Sequence, residues 1–333
     1  MSQAIMSIDE VKGLIEKGRI LLLSGDEAVL GQLPQGKWIG GTIPYFMSKK
    51  HGGISTKEMV FCTDLSDAVE SANIIEYNEN SLAKVYSEAP EDGFCFVLIP
   101  ALSQTHLTFA LNAPNYKDFG VRPLIGWITG VHLDDLGKVA PKVINGETGK
   151  FLEDAALVMQ AKLPQGKAAD IGIINLFEQG DGDILTFPQD GFSATDVFVN
   201  GEKQNFAEYL TKNNFDTKLP LVADYYGASV NISFQAVDTD AGEVKFYAPV
   251  FSSIRYKHAK PVGDYVNEFT EKLKSECGLD ENRLLFSCNC ILNYLYSELE
   301  GKKTDPMVGP ITFGEIAYQL LNQTLVYLEI HDV

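Results

Sequence analysis

The sequence predicts a mixed α/β protein, of α+β type, with strand-rich halves whose central sheets pack between helices. Three observations point there. Short apolar or alternating runs such as Phe94–Ile99 and Val244–Val250 fill the middle of the chain, the pattern of buried and half-buried strands. Asn200-Gly201 stands between two such runs, and this dipeptide suits a tight hairpin turn because both positions tolerate positive φ. Helical stripes cluster at the two ends, at Ile8, Val11, Leu14 and Ile15 and again at Tyr265, Val266, Phe269 and Leu273.

Each element follows from local chemistry. Ser7 and Glu10 form a capping-box pattern that starts the first helix, and Gly18 ends it. Arg19–Ser24 reads as a short buried strand, and Trp38–Pro44 as a strand running into a glycine turn at Gly40-Gly41. Further strands are expected at 124–128, 156–163, 171–177, 230–237 and 244–250, and a short helix at 206–210. Beyond Tyr265 the order is helix, strand (Leu284–Ser287), helix (Ile291, Leu292, Leu295, Leu299), then a last strand at 324–330. No low-complexity linker interrupts the chain. The expected seam lies between Gly201 and Pro220, giving halves of 1–205 and 206–333. A repeated pentapeptide, Leu33–Lys37 and Leu163–Lys167, reads as two similar loops.

The chain has 333 residues and a formal net charge of −18, from 27 Lys plus Arg against 45 Asp plus Glu. That balance opposes nucleic-acid binding, which depends on clustered cations neutralising phosphates. It also opposes adhesion to anionic membrane surfaces. No apolar run approaches the roughly 20 residues of a membrane helix, and the first residues lack a signal-peptide pattern. The five cysteines, Cys62, Cys95, Cys277, Cys288 and Cys290, are odd in number and irregular in spacing. Free thiols and a cytoplasmic location are therefore the expectation.

Familiar motifs fail on inspection. Gly31–Lys37 has phosphate-loop spacing, but Trp38 stands where Ser or Thr should hold magnesium. Asp238-Thr239-Asp240 hints at a calcium loop, but its twelfth position is Pro249. Gly227-Ala228-Ser229-Val230-Asn231 departs from the nucleophile elbow at its last position. The histidines show no zinc-ligand spacing. No cofactor and no metal is expected. Two features remain. Cys288-Asn289-Cys290 lies between a strand and a helix, where the helix dipole would favour thiolate; the plainer reading is a pair of small packing residues. Arg255, Lys257, His258 and Lys260 form the one dense basic cluster, suited to a carboxylate or phosphate; the plainer reading is solvated charge on an edge strand.

The ordered motifs resemble those of the FIST domain, a sensory module. They are Ile39-Gly40-Gly41-Thr42, Leu185-Thr186-Phe187 through Val199–Glu202 and Tyr209-Leu210, Leu284–Cys288, Pro310–Ile316 and Asn322–Val326. Two positions differ: Pro44-Tyr45 stand where that family has Gly-Glu, and Ile291 stands near its Arg. The resemblance implies a stand-alone small-molecule sensor, of an amino acid or similar zwitterion, that signals through a partner protein. Its implied ligand site combines Gly40, Gly41, Thr42, Cys288, Asn289, Thr312, Gly314 and Glu315; the basic cluster, by its charge, adds Arg255 and Lys257 for a carboxylate, with Glu315 or another acid for an ammonium. The alternatives are a cysteine-dependent enzyme using Cys288 and a scaffold with a vestigial pocket.

Overall fold

The computed structural model describes residues 2–225, 228–276 and 281–333. Gly227 and Cys277, named above, lie outside the described residues. Strand outweighs helix by 42% to 16%, so the protein is mixed and strand-rich, more so than the sequence suggests. The described strands form five sheets.

The central sheet runs Gln319–Leu321, Glu315–Ala317, Leu124–Thr129, Gly93–Pro100, Ala156–Lys162, Ser71–Tyr77. Its middle strands are buried on both faces, which explains the unbroken apolar run at Phe94–Ile99. Cys95, Val97, Ile99, Ile128 and Val158 point to one face. Phe94, Phe96, Leu98, Trp127 and Leu157 point to the other. Burying each such large side chain contributes ~1.5–3 kcal/mol.

The first face packs on the helices Gln104–Asn112 and Phe206–Lys212 and on two sheets from the middle of the chain. The second face meets two other sheets. One runs Ser2–Met6, Val60–Asp64, Leu21–Gly25, Trp38–Thr42, Val143–Asn145, Lys150–Leu152; the other runs Lys167–Ile174, Leu325–Asp332, Leu284–Cys290, Gly309–Thr312, Tyr45–Ser48, Gly52–Ser55. Helices therefore cover only part of the central sheet, and other sheets cover the rest. Four of the five sheets draw strands from both sides of residue 205.

Several expected elements form. Ser7 and Glu10 make the capping box of helix Ile8–Glu16, and Gly18 follows with φ 71°. Asn200 and Gly201 take φ 49° and 93° and join Asp196–Val199 to Glu202–Asn205. The run at 230–237 is instead two strands, Ala228–Ile232 and Phe234–Asp238, separated by buried Ser233. The strands Ser2–Met6, Tyr45–Ser48 and Ser71–Tyr77 and the helix Gln104–Asn112 were not expected.

Among the described strands three pairs are parallel: Leu21–Gly25 with Trp38–Thr42, Gly93–Pro100 with Leu124–Thr129, and Leu284–Cys290 with Gly309–Thr312. The first two pairs bring their carboxyl ends to one edge, where Thr42 O accepts from Gly130 N at 2.7 Å.

Candidate functional site

Two polar regions lie near strand Leu124–Thr129, one beside it and one beyond its carboxyl end. Towards the C-terminal strands, Glu315 pairs with Trp127 and its side chain is fully buried. Thr312 Oγ1 donates to Glu315 Oε1 at 3.1 Å; Thr324 Oγ1 and N donate to Oε2 at 3.0 and 3.3 Å. Burial pushes the carboxyl pKa up to about 8, and the hydrogen bonds from Thr324, Thr312 and Cys290 offset this only in part. Glu315 is thus mostly protonated at neutral pH.

The neighbouring thiols behave alike. Burial, and then the charge of Glu315, pushes Cys288 and Cys290 well above the ordinary thiol range. Desolvation outweighs the helix dipole that would favour thiolate at this strand end. Cys288 Sγ donates to Gly126 O at 3.6 Å. Asn289 Oδ1 accepts from Cys290 N and Asn293 Nδ2. The space lined by Cys288 and Asn289 is about 10 Å³, the size of one water. An unionised, enclosed Cys288 does not suit a nucleophile.

Among the expected site residues, Thr312, Gly314, Glu315, Cys288 and Asn289 come together and are buried between sheets. Gly40 and Gly41 are regular strand residues within Trp38–Thr42, not a turn. Gly41 is needed for close approach, since a Cβ there would stand 2.6 Å from Thr129 Cγ2 and 3.0 Å from Trp127 Nε1. Arg255 and Lys257 line a separate cleft with Gln179 and Ile184.

Thr42 alone of these residues lines a cavity at the carboxyl ends of the parallel strands. That cavity has a volume of about 390 Å³. Asp26 follows strand Leu21–Gly25, Thr42 ends the next strand, and Gly130 follows Leu124–Thr129. Such strand ends are where open α/β sheets take ligands. Glu27, Lys57 and Asp135 supply further charge; Ile43, Pro44, Val131 and Val139 supply apolar wall.

The charges are largely paired. Lys57 bonds Asp135, which raises the lysine and lowers the carboxyl. Lys142 Nζ sits 2.7 Å from Glu27 and 3.5 Å from Glu153. Burial presses Lys142 down, but Glu27 and Glu153 outweigh it and the net shift is up. Asp26 Oδ1 accepts from Ala28 N at 3.0 Å as an N-cap. Asp26 has no ion-pair partner among the described residues. The lining thus holds three acids against one lysine.

A scan against protein-family models matches residues 6–331 to a family described as "Family of unknown function (DUF6976)". The chain belongs to this family. The resemblance to the FIST domain is corrected accordingly, because no FIST-domain match accompanies this one. Its motifs have local explanations: Leu284–Cys288 is part of a buried strand, and Asn322–Thr324 is a bend in which Gln323 takes φ 50°. A search of the curated proteins returned no match.

Sequence reasoning missed Asp26, Glu27, Lys57, Asp135 and Lys142. One signal was present: Asp26-Glu27 directly follows an apolar run, Leu21–Leu23. No helix among the described residues is long and apolar enough to cross a membrane.

Proposed function

We propose that this protein binds a small molecule at the cavity between Asp26, Thr42 and Gly130, and that the ligand carries an ammonium group. One observation carries the reading: a cavity of about 390 Å³ opens where the carboxyl ends of two parallel strand pairs meet, with acids in excess on its wall. Asp26 is the natural ammonium partner, since Glu27 and Asp135 already hold lysines. An amino acid or other small zwitterion fits, with its carboxylate near Lys57 and its side chain against Ile43, Pro44 and Val131. This keeps the small-molecule sensing expected from the sequence and moves it to a different place.

The test is calorimetric titration with amino acids, simple amines and matched carboxylates. Asp26→Asn is the informative variant, because asparagine keeps the N-cap and removes the charge. Ammonium-bearing compounds should bind the parent, carboxylates alone should not, and D26N should lose at least tenfold in affinity. Binding that ignores the ammonium group, or that survives D26N unchanged, overturns the reading.

A further inference from the structure

We propose that the cleft carrying Arg255 and Lys257 is a second binding site, for a small organic anion with a short apolar body. The cleft has a volume of about 410 Å³. Arg255 and Lys257 flank Tyr256, which is fully buried. Arg255 precedes strand Tyr256–His258, Lys257 lies within it, and both line the cleft together with Tyr256. No acidic residue among the described residues lines the cleft, in contrast to the cavity at Asp26. Neither cation has an ion-pair partner among the described residues, whereas nearby Lys260 is held by Glu178 at 3.3 Å.

The site is built on rigid backbone. Tyr256 pairs with Leu185 on one side and Ala223 on the other. Phe251 N donates to Tyr256 Oη at 2.7 Å. Ser252 N and Oγ donate to Asp190 Oδ1 at 2.7 and 2.8 Å. The loop that carries Ser253, Ile254 and Arg255 is thus tied down at several points. Ile184 and Ile254 offer apolar wall, and Ser253 and Gln179 offer polar groups. A guanidinium fork beside an ammonium suits a carboxylate or phosphate head group, and the isoleucines suit a short alkyl body. The chain's net charge of −18 repels anions at long range. Binding there would depend on short-range pairing at this cleft and would weaken as salt rises.

Isoleucine methyl labelling reads the site directly. Hexanoate and hexyl phosphate are titrated into the full chain, with hexylammonium as the opposite-charge control. Saturable shifts of the Ile184 and Ile254 methyls with either anion are expected, and the tighter of the two identifies the preferred head group. Hexylammonium should leave both methyls in place. R255A/K257A should weaken the anion at least tenfold, R255K/K257R should restore most of the affinity, and K260A should bind like the parent. The proposal is overturned if neither anion saturates, if hexylammonium shifts the same methyls, if R255A/K257A binds within twofold of the parent, or if K260A loses as much as the double variant.

Discussion

Two regions near strand Leu124–Thr129, one beside it and one beyond its carboxyl end, hold similar polar residues under opposite conditions. In the first, Glu315 lies with Thr312, Thr324, Cys288 and Cys290, enclosed by sheets. In the second, Asp26, Glu27, Lys57 and Asp135 surround a space of about 390 Å³. The enclosed acid has no ion-pair partner among the described residues and holds its proton. In the open cavity Glu27 and Asp135 meet Lys142 and Lys57, and Asp26 has no ion-pair partner among the described residues. The difference shows that a carboxyl's role here follows from what surrounds it: Glu315 closes a seam between sheets, whereas Asp26 can meet a ligand.

The strongest way to break this comparison is through pH. Glu315 has a folded pKa near 8 against an ordinary 4.5. Its protonation therefore adds stability that is fully present below about pH 4.5 and is lost as pH rises through about 8. Glu315→Gln cannot ionise, so it should overtake the parent at pH 9 by about 4 kcal/mol and differ little at pH 5. Urea midpoints at the two pH values measure this. An offset independent of pH would mean that Glu315 is ionised and paired in the fold.

His106 gives the opposite slope on the other face of the central sheet. Burial lowers its pKa to about 4, and its Nδ1 accepts from Leu102 N at 3.1 Å. The neutral ring's stability is present above pH 6.5 and is lost as pH falls through about 4. Between those values His106→Phe should flatten the parent's acid-side loss by about 2–3 kcal/mol. Parallel curves for parent and variant would contradict the buried neutral histidine.

Gly41 sharpens the comparison by volume. Gly41→Ala forces a methyl against Thr129 and Trp127 and should cost about 1–3 kcal/mol, as overpacking does in close-packed cores. Gly137→Ala meets nothing within 4 Å but requires φ 75°. It should cost about 1 kcal/mol through backbone strain alone. Thermal midpoints that rank the two the other way would show that the sheets separate easily at Gly41.

What the sequence made legible was local. Ser7 with Glu10, Asn200 with Gly201 and the run Phe94–Ile99 each specify their element through neighbours within a few residues. Short strands such as Tyr45–Ser48 carry no such signal, because they form through partners far away, here Gly309–Thr312 and Gly52–Ser55. The same reason hid the cavity. Lys142 reaches Glu27 across 115 positions, and Lys57 reaches Asp135 across 78. In sequence these are ordinary surface charges, and only parallel pairing of the strands gathers them. The motif residues Thr312, Gly314, Glu315 and Cys288 lie near one another in the fold. Their enclosure, which sets their chemistry, depends on sheet packing that no short motif encodes.

The central claim, that the open cavity and not the enclosed acid receives the ligand, is tested most directly by thermal shift at pH 7. Parent, D26N and E315Q are compared against the ammonium-bearing compound that binds the parent best. At 100 times its dissociation constant such a compound should stabilise the parent by about 2.7 kcal/mol. The account predicts the same ligand-induced rise in midpoint for E315Q as for the parent and a largely abolished rise for D26N. A rise that persists in D26N and disappears in E315Q would contradict it.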